Sequence, residues 1–224
     1  MNILAIDTTG QTLSSAIFSD GKCLAEFSLF IEGTHTSRLM PLIDALLKST
    51  NMSISDIDYF ACTVGPGSFT GLRIGISTVK GLAYANGKKV VAVSSLDALT
   101  ENIPHSSYDV CPLIDARKGE VFAAFYNKEK GVESISKTDE INITPDELIK
   151  LVQRKTLFLG SGAVLYKEML TSKLNDKAIF ATDELNYIKG RNVAKLAIEL
   201  IKKRRAIKPD NLVPVYIRKP DIKS

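Results

Sequence analysis

A chain of 224 residues, 45% hydrophobic and 24% charged, can bury a full core and has the composition of an ordinary soluble globular protein. No apolar run approaches the roughly 20 residues of a membrane span. The start Met1-Asn2-Ile3-Leu4 carries no basic leader, and Cys23, Cys62 and Cys111 are too few and too scattered for a disulfide framework or a zinc knuckle. These features predict a cytoplasmic protein with reduced core thiols.

The net charge of +4 is unevenly placed. Residues 187–224 carry 11 Lys/Arg against 3 Asp/Glu, and residues 1–186 carry 18 against 22.

The chain opens as a β-hairpin: Asn2 to Ile6 is apolar, Asp7-Thr8-Thr9-Gly10-Gln11 is a turn, and Leu13 to Phe18 is apolar again. Asp20-Gly21 turns it into a third strand, Lys22 to Phe30. A helix is predicted from about Ser37, with Leu39, Leu42, Ile43, Leu46 and Leu47 at helical spacing and Pro41 in its first turn. A strand over 59–64 leads into Gly65-Pro66-Gly67-Ser68-Phe69-Thr70-Gly71, then a small-residue helix over 71–86. A strand over 89–93 and a helix led by Ser94-Ser95 follow.

The glycine loop has two physical uses. It can lay N–H groups over an anion at a helix N-terminus, or let another backbone approach closely. It is not a Walker loop, since Leu72-Arg73 stands where Lys and Ser/Thr would follow the last glycine, and no nucleophile elbow fits around Ser68.

The pattern then restarts. Cys111 to Tyr126 overlays the first hairpin at a shift of 108 residues, so that Asp7 meets Asp115 and Ala16 meets Ala124. A helix at 145–154 capped by Thr144, a strand at 156–159, Gly160-Ser161-Gly162, a helix, a strand at 178–181 and a final helix complete the chain. Two α/β lobes of related topology are predicted, residues 1–107 and 108–224, with the final helix free to pack back on the first.

Such duplicated lobes, each opening strand–Asp–turn–strand, resemble the actin/Hsp70/sugar-kinase superfamily (the ASKHA fold). More specifically, Ile3 to Thr9, His35-Thr36-Ser37-Arg38-Leu39-Met40-Pro41, the glycine loop through Gly75, Ser94 to Leu99, Asp115 to Val121 and Pro214-Val215-Tyr216-Ile217-Arg218 are together similar to the TsaB (YeaZ) family. That resemblance implies a non-catalytic partner of a TsaD-like subunit, which transfers a threonylcarbamoyl group onto adenosine 37 of tRNAs reading codons that begin with A. It also implies a TsaE-like ATPase as third component, and tRNA bound through the complex.

It places the partner interface on the two helices of the first lobe, where the family also self-pairs as a dimer. There Ser77, Gly81 and Ala85, and Gly71 and Gly75, repeat every four residues, which lets a second helix approach closely. Arg38, Met40, Ile43 and Leu47 complete the expected face. The alternative use of those residues is packing on the chain's own sheet.

No catalytic residue, metal or cofactor is expected. The histidines are His35 and His105, seventy positions apart, and no paired-histidine metal motif exists. Asp7, Thr8 and Thr9, Asp115 and Arg117, and Gly160 and Gly162 stand where the superfamily's nucleotide turns would be. Thr9 replaces the usual glycine, so these read as retained turns, with nucleotide binding as the alternative. Lys202-Lys203-Arg204-Arg205 is either a set of cations favoured by a helix C-terminus or a tRNA-facing patch. An ATP-dependent small-molecule kinase using Asp7 or Asp115 is the competing function. A peptidase is opposed by the lack of a metal motif or a nucleophile–base pair.

Overall fold

The computed structural model describes residues 1–31, 36–129 and 136–217. His35 and Arg218, which carry part of the family resemblance, lie outside them.

The first sheet is built from β1 (Asn2–Asp7), β2 (Thr12–Ser19), β3 (Lys22–Phe30), β4 (Tyr59–Thr63) and β5 (Lys89–Val93), in the order β3-β2-β1-β4-β5. The hairpin strands pair antiparallel, with Ala5 opposite Ala16. β1, β4 and β5 run parallel, as the intervening helices require. Those helices are α1 (Thr36–Ser49) and α2 (Phe69–Ala85), and α3 (Ser95–Thr100) follows β5. Leu39, Leu42, Ile43 and Leu46 of α1 and Leu72, Ile76 and Val79 of α2 are buried with Leu4, Ile6, Phe60 and Cys62 of the sheet. Each such aliphatic side chain contributes about 1.5–3 kcal/mol.

Pro41 is placed differently from the expectation. The helix already begins at Thr36, so Pro41 is its sixth residue and not part of the first turn. There it withholds the N–H that would reach the carbonyl of Ser37.

The second sheet contains β6 (Asp109–Arg117), β7 (Glu120–Ala123), β8 (Tyr126–Asn127), β9 (Ser136–Lys137), β10 (Ile141–Ile143), β11 (Thr156–Leu159) and β12 (Ala178–Phe180). Its main path is β10-β7-β6-β11-β12, with β8 pairing β6 and β9. Its helices are α4 (Pro145–Leu151), α5 (Ser161–Leu165) and α6 (Lys167–Leu174). α4 starts with a full capping box: Thr144 Oγ1 accepts from Glu147 N–H at 3.3 Å, and Glu147 Oε2 accepts from Thr144 N–H at 2.9 Å. Cys111, Leu113, Val121, Leu148, Phe158 and Leu170 form its core.

The last helix, α7 (Gly190–Lys202), packs against the first sheet and buries Val193, Ala194 and Ala197. Gly190 N–H donates to Ser14 Oγ at 2.8 Å, and Arg191 pairs with Glu26 of β3 at 3.2 Å. By internal contacts among the described residues, one unit is therefore Met1–Ala98 with Tyr187–Pro214, and the other is Leu99–Asn186 with residues 215–217. No helix among the described residues is long and apolar enough to cross a membrane.

Candidate functional site

The turn after β1 is sealed. Asp7, Thr8 and Thr9 are all buried. One carboxylate oxygen of Asp7 accepts from the Thr63 hydroxyl at 2.6 Å, the Thr9 hydroxyl at 2.7 Å and the Thr9 N–H at 3.3 Å. The glycine loop closes over the same turn: Ser68 N–H donates to the Thr9 carbonyl at 2.9 Å, and Thr8 Oγ1 donates to the Gly71 carbonyl at 2.6 Å. A Cβ on Gly71 would overlap the Thr8 carbonyl oxygen, and one on Gly75 would lie 2.5 Å from Thr8 Oγ1. Of the loop's two uses, the structure therefore shows close approach of a backbone, with Ser68 Oγ capping α2 at Gly71 N–H, 3.2 Å.

In the second unit Asp115 is half-buried. Its carboxylate accepts from Arg117 N–H at 2.8 Å and pairs with the Arg117 guanidinium at 3.3 Å. Arg117 and Lys118 both have positive φ, 61° and 54°, and Lys118 is exposed. Gly160 and Gly162 are buried against β6. A Cβ on Gly160 would lie 2.5 Å from the Leu113 carbonyl oxygen, and one on Gly162 would lie 3.0 Å from Leu113 Cβ. Gly160 N–H donates to Asn186 Oδ1 at 2.8 Å. This glycine pair brings α5 close to the strand.

The residues expected on the partner face divide. Arg38, Met40, Ser77, Gly81 and Ala85 are exposed, and nothing lies within 4 Å of where a Gly81 Cβ would stand. Gly71 and Gly75 are corrected to internal positions, since both are buried against Thr8. Ile43 is corrected likewise: it is 1% exposed in the core, and Leu47 is half-buried against that core.

Between α1 and α2 runs a groove of about 460 Å³, lined by Leu39, Met40, Phe69, Arg73, Ile74 and Ser77 among others. The Arg73 guanidinium sits 3.8 Å over the Phe69 ring, a cation–π pair that fixes both at the rim. Phe69 and Arg73 were missed from sequence. The four-residue step through Ser77, Gly81 and Ala85, carried back one and two turns, would have found them.

At the far end of α7, Lys202, Lys203, Arg204 and Arg205 are all exposed. Of the cysteines, Cys62 and Cys111 are buried, but Cys23 is exposed on β3, which corrects its expected place in the core. Burial pushes the Cys62 thiol far up, with the Asp7 charge adding to the effect. Among the described residues no group of three or more His, Cys, Asp or Glu side chains is placed to hold a metal ion.

These two sheets have the architecture of the actin/Hsp70/sugar-kinase class. A ROK hexokinase from Thermus thermophilus superposes with a TM-score of 0.53 at 10% identity, over 91% of this chain and all of that one, which is a likeness of fold. The family model for TsaD, tRNA N6-adenosine threonylcarbamoyltransferase, matches residues 31–223. The tRNA threonylcarbamoyladenosine biosynthesis protein TsaB of Bacillus subtilis is 33% identical over 220 residues, covering 97% of this chain and 94% of its own. YeaZ from Pseudomonas aeruginosa superposes with a TM-score of 0.80 at 26% identity, over 96% and 99% of the two chains. The chain belongs to the TsaB (YeaZ) family.

Proposed function

We propose that this protein works in the cytoplasm as the non-catalytic partner of a TsaD-like subunit in forming N6-threonylcarbamoyladenosine at position 37 of tRNAs that read codons beginning with A. The observation that carries this reading is near-full-length similarity to the Bacillus TsaB protein. The exposed stripe of α2 supports it. Phe69, Arg73, Ser77, Gly81 and Ala85 lie on one face beside an apolar groove, with small residues at the end where a second helix must come close.

Docking there fixes the competent conformation of the catalytic subunit, and a TsaE-like ATPase joins the pair. The same face allows self-pairing of the isolated protein. The turn after β1 keeps a structural role, because the Thr9 carbonyl and the Thr8 hydroxyl bond the glycine loop and one Asp7 oxygen accepts from Thr63 and Thr9.

The test is co-purification with the cognate TsaD, followed by tRNA threonylcarbamoylation with and without this chain. Product formed only with both chains, and none with this chain alone, is the expected result. Failure to associate, together with ATP hydrolysis by this chain alone, would replace the reading with a kinase-like one.

A further inference from the structure

A cluster of exposed cations in the first unit lies away from the groove and the sealed turn. α7 ends at Lys202, and the chain continues through Lys203, Arg204 (φ 57°) and Arg205. It then bonds to the outer edge of β5: Val90 and Ile207 exchange both backbone hydrogen bonds, at 2.9 and 3.0 Å. In an antiparallel register that bridge sets Lys89 and Lys208 side by side, with Cα atoms about 4.5–5.5 Å apart. Six cations thus gather where β5 begins, and all but the bridging stretch between them are exposed. β1, β4 and β5 run parallel, so this is the end of the sheet opposite Asp7 and the glycine loop.

The helix dipole explains only part of this. Arg204 and Arg205 N–H close the end of α7 on the Ile201 and Leu200 carbonyls, both at 2.9 Å, so the last turn reaches residues 202–205 but not Lys208 or Lys89. Nor do ion pairs absorb the charge, since among the described residues none of the six is in one. Glu199 and Asp210 flank the segment, and exposed Asp58 precedes Tyr59, the β4 partner of Lys89; six cations against these three carboxylates leave the surface net positive.

The form of the surface selects its ligand. No exposed large hydrophobic residue lies between Leu165 and Val213, and Tyr84, at the turn into β5, is a single exposed aromatic, so the patch lacks the continuous apolar face that holds a helix in a lipid surface. Unpaired lysines and forked arginines spread over an open surface suit a ligand that presents many phosphates in series.

We propose that Lys89, Lys202, Lys203, Arg204, Arg205 and Lys208 form a sequence-independent contact for the phosphate backbone of a folded RNA. The identity of that RNA as tRNA rests on the function proposed above; the contact itself does not.

The test measures fluorescently labelled tRNA binding to the full chain alone, by anisotropy from 50 to 200 mM salt. Three variants accompany it. One replaces residues 202–205 by Gln, a second is Lys89→Gln with Lys208→Gln, and a third removes equal charge from the second unit (Lys150, Lys155, Lys173 and Lys177→Gln). The first variant is expected to bind about tenfold or more weakly at 50 mM salt, with the log–log salt slope smaller by about three. The second is expected to shift both quantities in the same direction, and the third to leave them near those of the unaltered chain. Equal losses in the first and third variants, or no loss in the first two with unchanged circular dichroism, would overturn the proposal. So would salt-dependent binding to phosphatidylserine vesicles without binding to tRNA. Co-purification of the first variant with TsaD separates the two readings: an intact complex with lost RNA affinity keeps both, and a failed complex in the unaltered chain that still binds RNA removes only the functional one.

Discussion

The hydroxyl of Thr8 donates to the carbonyl of Gly71 at 2.6 Å, and the Thr8 carbonyl in turn occupies the space a Gly71 side chain would need. The two residues hold the first turn of α2 against the end of β1. Ten residues further along the same helix, Gly81 faces open space. Alanine is therefore expected to act with opposite signs at the two glycines. Gly71→Ala forces backbone apart and costs about 1–3 kcal/mol or more, while Gly81→Ala gains about 1 kcal/mol of helix propensity. Thermal melts should show the first lowered and the second raised by a few degrees. Destabilisation by both would mean that α2 does not sit on Thr8 as described.

The Asp7 carboxylate gives a second prediction. Thr63 is buried and donates to it at 2.6 Å. Thr63→Val keeps the shape but removes the donor, at a cost of about 1.5–3 kcal/mol for a hydrogen bond to a charged group. Thr63→Ser keeps the donor and is expected to lose less. Urea midpoints at constant m-value would check this, and equal losses from the two substitutions would assign the effect to packing.

Most of the fold was legible because its signals are local. The strand–Asp–turn–strand pattern set out both hairpins, the Thr144-Pro145 start marked α4, and the leucine spacing marked α1. What sequence could not show was the choice between two uses of one pattern. Gly71, Gly75 and Gly81 share a four-residue step, yet α2 turns the first two toward Thr8 and the third toward solvent. Only the position of β1 beside the helix decides that. The return of 187–214 to the first sheet is a long-range event of the same kind. It depends on Gly190 fitting against the Ser15–Ala16 peptide, where its own Cβ would lie 2.7 Å from the Ser15 carbonyl carbon, while its N–H donates to Ser14 Oγ. Lys89 and Lys208 became neighbours through a single bridge that no motif announces.

The exposed stripe carries the partner prediction. Ser77→Arg and Gly81→Leu place long side chains where the proposed second helix must approach, and both sites are open in this chain. Each is expected to leave the melting temperature within a few degrees and to weaken co-purification with TsaD at least tenfold. Unimpaired threonylcarbamoylation by both mutants would move the interface elsewhere.

The buried thiols make a prediction for alkaline pH. Burial raises Cys62, with Asp7 adding to it, and burial raises Cys111, with Asp109 adding to it. Both thiols stay protonated in the native chain after their unfolded counterparts have ionised. Above about pH 9, the ordinary value, the unfolded state binds fewer protons than the native one, so stability falls as pH rises. The loss is absent below that point and reaches up to about 1.4 kcal/mol per pH unit per thiol above it. Urea unfolding under reductant at pH 8 and pH 10 should therefore show a smaller decline in a Cys62→Ala, Cys111→Ala double mutant than in the unaltered chain. Equal declines would mean that the native thiols titrate normally. Iodoacetamide at pH 8 gives an independent check: one thiol, Cys23, is expected to react in the native protein and three in urea. Reaction of all three at similar rates in the native protein would place Cys62 and Cys111 within reach of solvent and remove the basis for the alkaline loss.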